Sequence, residues 1–441
     1  MKKKFLKAIT FIILCTISLF GCESKQVEMT EESKTYLAAV EEMVGFYEEN
    51  PYMFYNCEEE DWNTASEQLK EDIKNNKVNE DEIYFRMQEL SSILNNAHIY
   101  CFNTELTNEK VLPIIVKYYG NKLYIECTDS KYKELLGSEI ISINGVKFKD
   151  IEERWSKIIS AENPQHIKNY ISYVPFGKSI LNYLDIDGEE IVLTVKYLNG
   201  DLEKVPIPYI TMEEYLKLKG EKSNYLGYEN KRYSIENLKP EGAYDQYWFT
   251  LDEENRILYF QYNECIDRNY VTMSSMNEYS NYPDFNEFQK SFTEFINCNK
   301  DNFDKIVVDV SKNEGGNDYY IYSLINENLE IFNSKKVYAI MTKNTFSAGV
   351  CAVDTLVEKC NAIMVGEETG GSIELYGYNT NFSSSILPYI YYSGNEYKIL
   401  YNAGKNTEDV MRGAIPDIEV DYTVEDALNG FNPYYQAVID N

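Results

Sequence analysis

Thr345-Phe346-Ser347-Ala348-Gly349 places a serine between an apolar run and the start of a predicted helix. A serine there can act as a nucleophile. The free N–H groups of a helix's first turn face whatever the hydroxyl attacks, so the Ala348 amide can steady an oxyanion. Serine is also a favoured N-cap, and a lone strand–serine–helix junction is structural far more often than catalytic. Upstream, Asp309-Val310-Ser311-Lys312-Asn313-Glu314-Gly315-Gly316 follows a buried-strand pattern. Its paired glycines let backbone amides approach a ligand closely, which suits a second oxyanion donor at Gly315 or Gly316. Downstream, Gly366-Glu367-Glu368-Thr369-Gly370-Gly371 is again glycine-rich after a strand. A base for Ser347 has two histidine candidates in the whole chain. His98 stands at the entry to strand-like His98-Ile99-Tyr100-Cys101-Phe102, and His166 lies in a polar helical stretch.

The elements around these residues change character along the chain. Apolar spacing predicts three helices: one opening at Thr30 and closed by Asn50-Pro51, one carrying Trp62, Ala65, Leu69 and Ile73, and one starting at Asn79. In the third, Glu82 stands in capping-box position. From about residue 110 the pattern turns to strands around Gly120-Asn121, Asn144-Gly145 and Asn199-Gly200. Residues 211–250 are polar, with Gly220, Gly227, Pro240 and Gly242, and read as a connector. The last block alternates strand and helix. Its run Lys305-Ile306-Val307-Val308-Asp309-Val310 is of the kind buried on both faces, which predicts an α/β core.

Two family patterns emerge from these residues. Leu136-Gly137-Ser138-Glu139-Ile140-Ile141-Ser142-Ile143-Asn144-Gly145 resembles the strand-and-turn signature of PDZ domains. The glycine segment at 309–316, the Ser347 segment, the 366–371 segment and Gly413-Ala414-Ile415-Pro416-Asp417-Ile418-Glu419-Val420 come in an order and spacing that resemble the tail-specific (C-terminal processing) serine peptidases. The resemblance implies a crotonase-like α/β peptidase core with an N-terminal helical segment and an inserted PDZ-like β-rich domain. It divides the chain at 31–105 for the helical segment, 106–210 for the PDZ-like domain, 211–250 for the connector and 251–441 for the core. It also implies a serine-type endopeptidase acting on protein or peptide substrates, with no metal or organic cofactor. One branch of the family uses a lysine base in a "G-K-G" segment, but Ser372 stands there. The tricorn-like branch uses a histidine in "L-x-D-x-H", which Leu94-Asn95-Asn96-Ala97-His98 matches apart from Asn96. The resemblance therefore implies Ser347 as nucleophile, His98 as general base, and Ala348, Gly315 and Gly316 as oxyanion hole. It implies a carboxylate near the closing motif as the group orienting His98; Glu408 is the candidate, with Asp409 beside it. Ser311 replaces the usual arginine of the first motif. A second reading keeps the fold as a lipid-anchored peptide-binding scaffold with weak or no activity.

The N-terminus predicts where such a protein works. Lys2, Lys3, Lys4 and Lys7 precede an apolar run at residues 8–20, too short for a comfortable bilayer span, and the pattern reads as a secretory signal over residues 1–21. It ends in Leu19-Phe20-Gly21-Cys22, which resembles a bacterial lipobox with Cys22 as the lipidated residue. Residues 22–30 then form a polar tether, and the expected location is the extracytoplasmic face of the cell membrane. The formal charge is −30, with 72 acidic against 42 basic residues. Such a surface repels nucleic acid and anionic lipid alike, so attachment would come from acyl chains. The cysteines after Cys22 are odd in number and lack CxxC spacing, which excludes a zinc pattern.

Overall fold

Capping chemistry sets the first elements. Thr30 accepts a hydrogen bond from the Ser33 amide and opens the helix Glu31–Glu48, while Asn79 and Glu82 form a reciprocal capping box at the start of Glu80–Ser92. Between them runs Glu59–Lys74. These helices bury Tyr47, Trp62, Ile73 and Met87. The structure, a computed structural model, describes residues 28–186, 188–228, 235–273, 282–405 and 407–441. The expected signal segment and Cys22 lie outside these residues.

A mainly antiparallel sheet follows, in the order Ile114–Tyr119, Lys122–Thr128, Glu139–Ile143, Glu190–Lys196 and Leu202–Pro208, with Val146–Lys147 paired to Glu139–Ile143. Asn144 (φ 47°) and Gly145 (φ 83°) make the tight turn that their sequence predicts. Helices Phe148–Trp155 and Pro164–Tyr173 fall inside this block. One continuous apolar cluster joins Trp62 and Met87 of the N-terminal helices to Leu193 and Ile207 of this sheet, so the two share a core. The segment expected as a plain connector is more structured than that. Thr211 and Glu214 cap a helix at Met212–Gly220, and Tyr247–Asp252 is already the first strand of the core.

The core sheet runs Tyr247–Asp252, Ile257–Tyr262, Lys305–Asp309, Lys336–Met341, Ile363–Gly366 and Ile418–Glu419. The first pair is antiparallel and the rest are parallel. Both faces are covered, which is why the strands read as continuous apolar runs. Leu258, Ile306, Val308 and Ala339 face a cluster that includes Phe292, Ile321, Val353 and Leu356 from three helices. Ile257, Val307 and Ile340 face Tyr434, Tyr435 and Val438 from the C-terminal helix Pro433–Asp440. A long hairpin, Glu374–Ser383 with Tyr389–Ile399, leaves this core and pairs with the N-terminal strand Tyr100–Asn103. That pairing joins the two ends of the chain. No helix among the described residues is long and apolar enough to cross a membrane.

Candidate active site

Strand Lys336–Met341 leads into a turn, and helix Ala348–Cys360 leads out of it. The turn is braced at several points. Thr345 donates from its amide to Thr342 O (2.8 Å) and from Oγ1 to Val310 O (2.8 Å), while the Phe346 amide donates to Asn313 O and the Gly371 amide to Thr345 O, both at 2.9 Å. Within this frame Ser347 adopts φ 50°, ψ −123°. Such a conformation costs a non-glycine residue about 1–3 kcal/mol and survives only where the surroundings over-determine it. Two glycines leave it room: a Cβ on Gly315 would lie 2.8 Å from Ser347 Cβ, and one on Gly371 would lie 3.0 Å from Ser347 N. Ser347 makes no side-chain cap bond to its helix. Its Oγ instead lies 3.1 Å from His98 Nε2.

His98 reaches this point from the opposite end of the chain. After helix Glu80–Ser92 the chain turns through Asn95 (φ 45°), and Asn96 Oδ1 accepts the His98 amide at 2.9 Å. Asn96 is thus a turn residue. Strand Tyr100–Asn103 then fixes the segment against the hairpin, where a Cβ on Gly394 would come 3.2 Å from His98 Cβ. The imidazole stacks on Phe346, with ring centres 4.8 Å apart and planes 19° apart. Burial pushes its pKa down from 6.5 to about 3, with a further contribution from His166. A neutral imidazole has the free lone pair needed to accept a proton from Ser347, but burial also penalises the imidazolium that would result. His98 Nδ1 is buried and has no hydrogen-bond partner among the described residues.

The remaining expected residues divide. The Ala348 amide, first in its helix, has no acceptor among the described residues, and the same holds for Gly316. Gly315 differs from expectation: its amide donates to Asn313 Oδ1 at 2.9 Å, so its contribution beside Ser347 is space rather than a donor. Glu408 is also displaced from its expected place. It is exposed and makes no bond to His98, while upstream Asp354 Oδ1, on helix Ala348–Cys360, accepts the Asn402 and Ala403 amides at 2.9 and 2.8 Å. Asp409 is exposed as well. Ser372, at the position of the other branch's lysine, is buried and donates to Glu374 O. Among the described residues no group of three or more His, Cys, Asp or Glu is arranged to hold a metal ion, and the seven described cysteines are free thiols.

Three residues that sequence reasoning left without a role also converge here. Glu162 precedes and Asn163 caps helix Pro164–Tyr173, whose first turn carries His166. His166 packs on Phe346, ring centres 4.8 Å apart, from the inserted block. Asn163-Pro164 announces a helix start, but nothing local in the sequence points this helix at Ser347.

Neither a protein-family model nor a curated protein matches the sequence. Among solved structures, the chain is similar to mature CPAF with a TM-score of 0.65 at 11% identity, covering 93% of this chain and 96% of that one. Mature CPAF complexed with lactacystin gives 0.63 at 12% identity, covering 92% and 97%. The photosystem II D1 C-terminal processing protease is more distant, at a TM-score of 0.41 and 11% identity over 89% and 94%. At these identities the likeness is one of fold, and along almost its whole length this chain folds as mature CPAF does.

Proposed function

We propose that this chain is an exported, lipid-anchored serine endopeptidase of the tail-specific type, nearer the tricorn-like branch, with Ser347 as nucleophile and His98 as general base. The observation that carries the reading is the 3.1 Å approach of His98 Nε2 to Ser347 Oγ, between residues 249 positions apart. In this mechanism Ser347 Oγ attacks a peptide carbonyl and its proton passes to His98 Nε2. The Ala348 amide, joined by that of Gly316, stabilises the oxyanion, and His98 returns the proton to the departing amine. The strained backbone of Ser347 and the CPAF-like fold support the assignment. The β-rich block would bind peptide by strand addition, in the manner of a PDZ domain. The basic n-region, short apolar run and Cys22 support lipid anchoring on the extracytoplasmic face, with envelope or extracellular proteins and peptides as substrates.

One observation favours a second reading, a peptide-binding scaffold of low activity: His98 Nδ1 has no acceptor to orient the ring or balance its charge. A fluorophosphonate probe separates the two. Applied to the full chain in detergent, it should label the wild type and leave Ser347→Ala untouched. His98→Ala should label about 100-fold more slowly or worse. A wild type that stays unlabelled where another serine peptidase reacts would sink the enzymatic reading.

A further inference from the structure

Both histidines of the chain contact the same ring, Phe346, the residue before Ser347. His166 belongs to a short segment of the inserted block that is latched onto the catalytic core. Asn163 Nδ2 donates to Gly370 O (3.1 Å) and Met411 O (3.2 Å), while its Oδ1 caps the helix through the Gln165 and His166 amides. One residue earlier, Glu162 is 8% exposed and its Oε1 accepts the Ala97 amide at 3.0 Å. Its second oxygen is buried without a partner. So is Nδ1 of His98, the residue directly after Ala97. His166 Nδ1 is buried without a partner as well, and buried polar atoms of this kind are rare and costly, so their grouping on these two segments requires a functional account. Glu374 joins them: Oε1 accepts from Tyr376 Oη at 2.7 Å, while Oε2 is buried and without a partner.

We infer that Glu162, supplied by the inserted block, is the positioning residue for His98 and balances the charge that His98 acquires when it takes the Ser347 proton. The inference rests on the peptidase reading above. The Oγ–H bond of Ser347 breaks and its proton goes to Nε2; no proton moves to Glu162, which acts on the Nδ1 side by charge alone. When the tetrahedral adduct collapses, the proton leaves Nε2 for the amine nitrogen. The Ala97 amide from the turn bonds to Glu162, Glu374 and Tyr376 of the hairpin act on it through their charge, and His98 and His166 follow close by in sequence on the turn and on the helix after Glu162. Burial, the larger cause, and the charge of Glu374 push Glu162 up to about 7, so its charge appears in the neutral range. A second consequence is that the active site is complete only while the inserted block is docked.

The test is the rate of fluorophosphonate acylation of the full chain between pH 5.5 and 9, for the wild type, Glu162→Gln and Glu374→Gln. Glutamine keeps an oxygen for the Ala97 amide but carries no charge. The wild-type rate should climb through about pH 7, Glu162→Gln should react about 100-fold more slowly at pH 8 with that rise gone, and Glu374→Gln should move the rise to lower pH. A Glu162→Gln enzyme with the wild-type rate and the wild-type rise would overturn the inference. A wild type that does not react at all overturns the peptidase reading instead. Should Glu162→Gln not fold, ¹⁵N-histidine NMR of Ser347→Ala serves, since there are only two rings to assign. The His98 Nδ1 resonance should shift as Glu162 ionises through pH 7, and a flat response would reject the proposal.

Discussion

Gly315 meets Ser347, the proposed nucleophile, more closely than any side chain allows. Its φ of 109° lies where L-residues are strained, and a Cβ there would stand 2.8 Å from Ser347 Cβ and 3.0 Å from the Ala348 amide nitrogen. Gly315→Ala should therefore lower stability by about 1–3 kcal/mol and push Ser347 out of line with His98. We expect a lower midpoint in urea, and labelling at Ser347 reduced about 100-fold at a denaturant-free pH of 8. Labelling at the wild-type rate would show that the turn relaxes around the extra methyl. Ser347, His98 and the glycines could be singled out in the sequence because each belongs to a local motif with its own backbone demand, and the structure brings Ser347 and His98 within 3.1 Å. Glu408, the carboxylate expected beside His98, is exposed instead, a placement set by contacts along the chain that no spacing rule encodes.

At the scale of elements, helix caps were legible and their partners were not. The capping box at Asn79 involves residues three apart and was read from local sequence, whereas the one at Thr211, of the same spacing, fell in the segment read as a connector. Asn163 caps its own helix in the same way, yet it also reaches Gly370 and Met411, more than two hundred residues away. Asn163→Ala should lose both functions, costing roughly 2 kcal/mol in thermal or urea unfolding. It should also slow labelling of Ser347, since the segment carrying Glu162 and His166 loses its latch. A stability loss with an unchanged labelling rate would reduce Asn163 to an ordinary cap. The hairpin Glu374–Ser383 with Tyr389–Ile399 was missed for a related reason. Gly377, Asn379 and Asn381 are poor strand formers, and they are held in a strand only by pairing with the returning arm.

The whole molecule combines a strongly acidic composition with a candidate site whose histidines are held neutral by burial. His98 and His166 are held near 3 and 4 against an ordinary 6.5, in both cases first by burial. Lowered histidine values mean that the unfolded chain binds protons the folded one refuses. The stability they secure is complete above pH 6.5 and is lost as pH falls toward 4 and 3. Glu162 works the other way: its raised value makes the folded form keep a proton between about 7 and 4.5, which adds stability as pH falls through that window. His166→Phe keeps an aromatic ring against Phe346 and removes one proton from the balance. Urea unfolding of this variant from pH 6.5 to 4.5 should lose less stability than the wild type, by about 1.4 kcal/mol per pH unit at most. Parallel curves for the two proteins would mean that His166 titrates normally in the fold.

The sequence by itself determined the α/β core, the helical start and the β-rich block, and it singled out Ser347 and His98 as candidates, because each rests on periodicity, turn chemistry or a motif within a few residues. It also set the acidic charge and the expectation of an anchored, exported protein. Only the tertiary structure decided what surrounds the imidazole. It carried Glu408 to the surface and committed the Gly315 amide to Asn313, and it brought His166 to Phe346 and Glu162 to the Ala97 amide. Those outcomes follow from packing between segments far apart in the chain, where burial and pairing energies outweigh anything that local spacing can express.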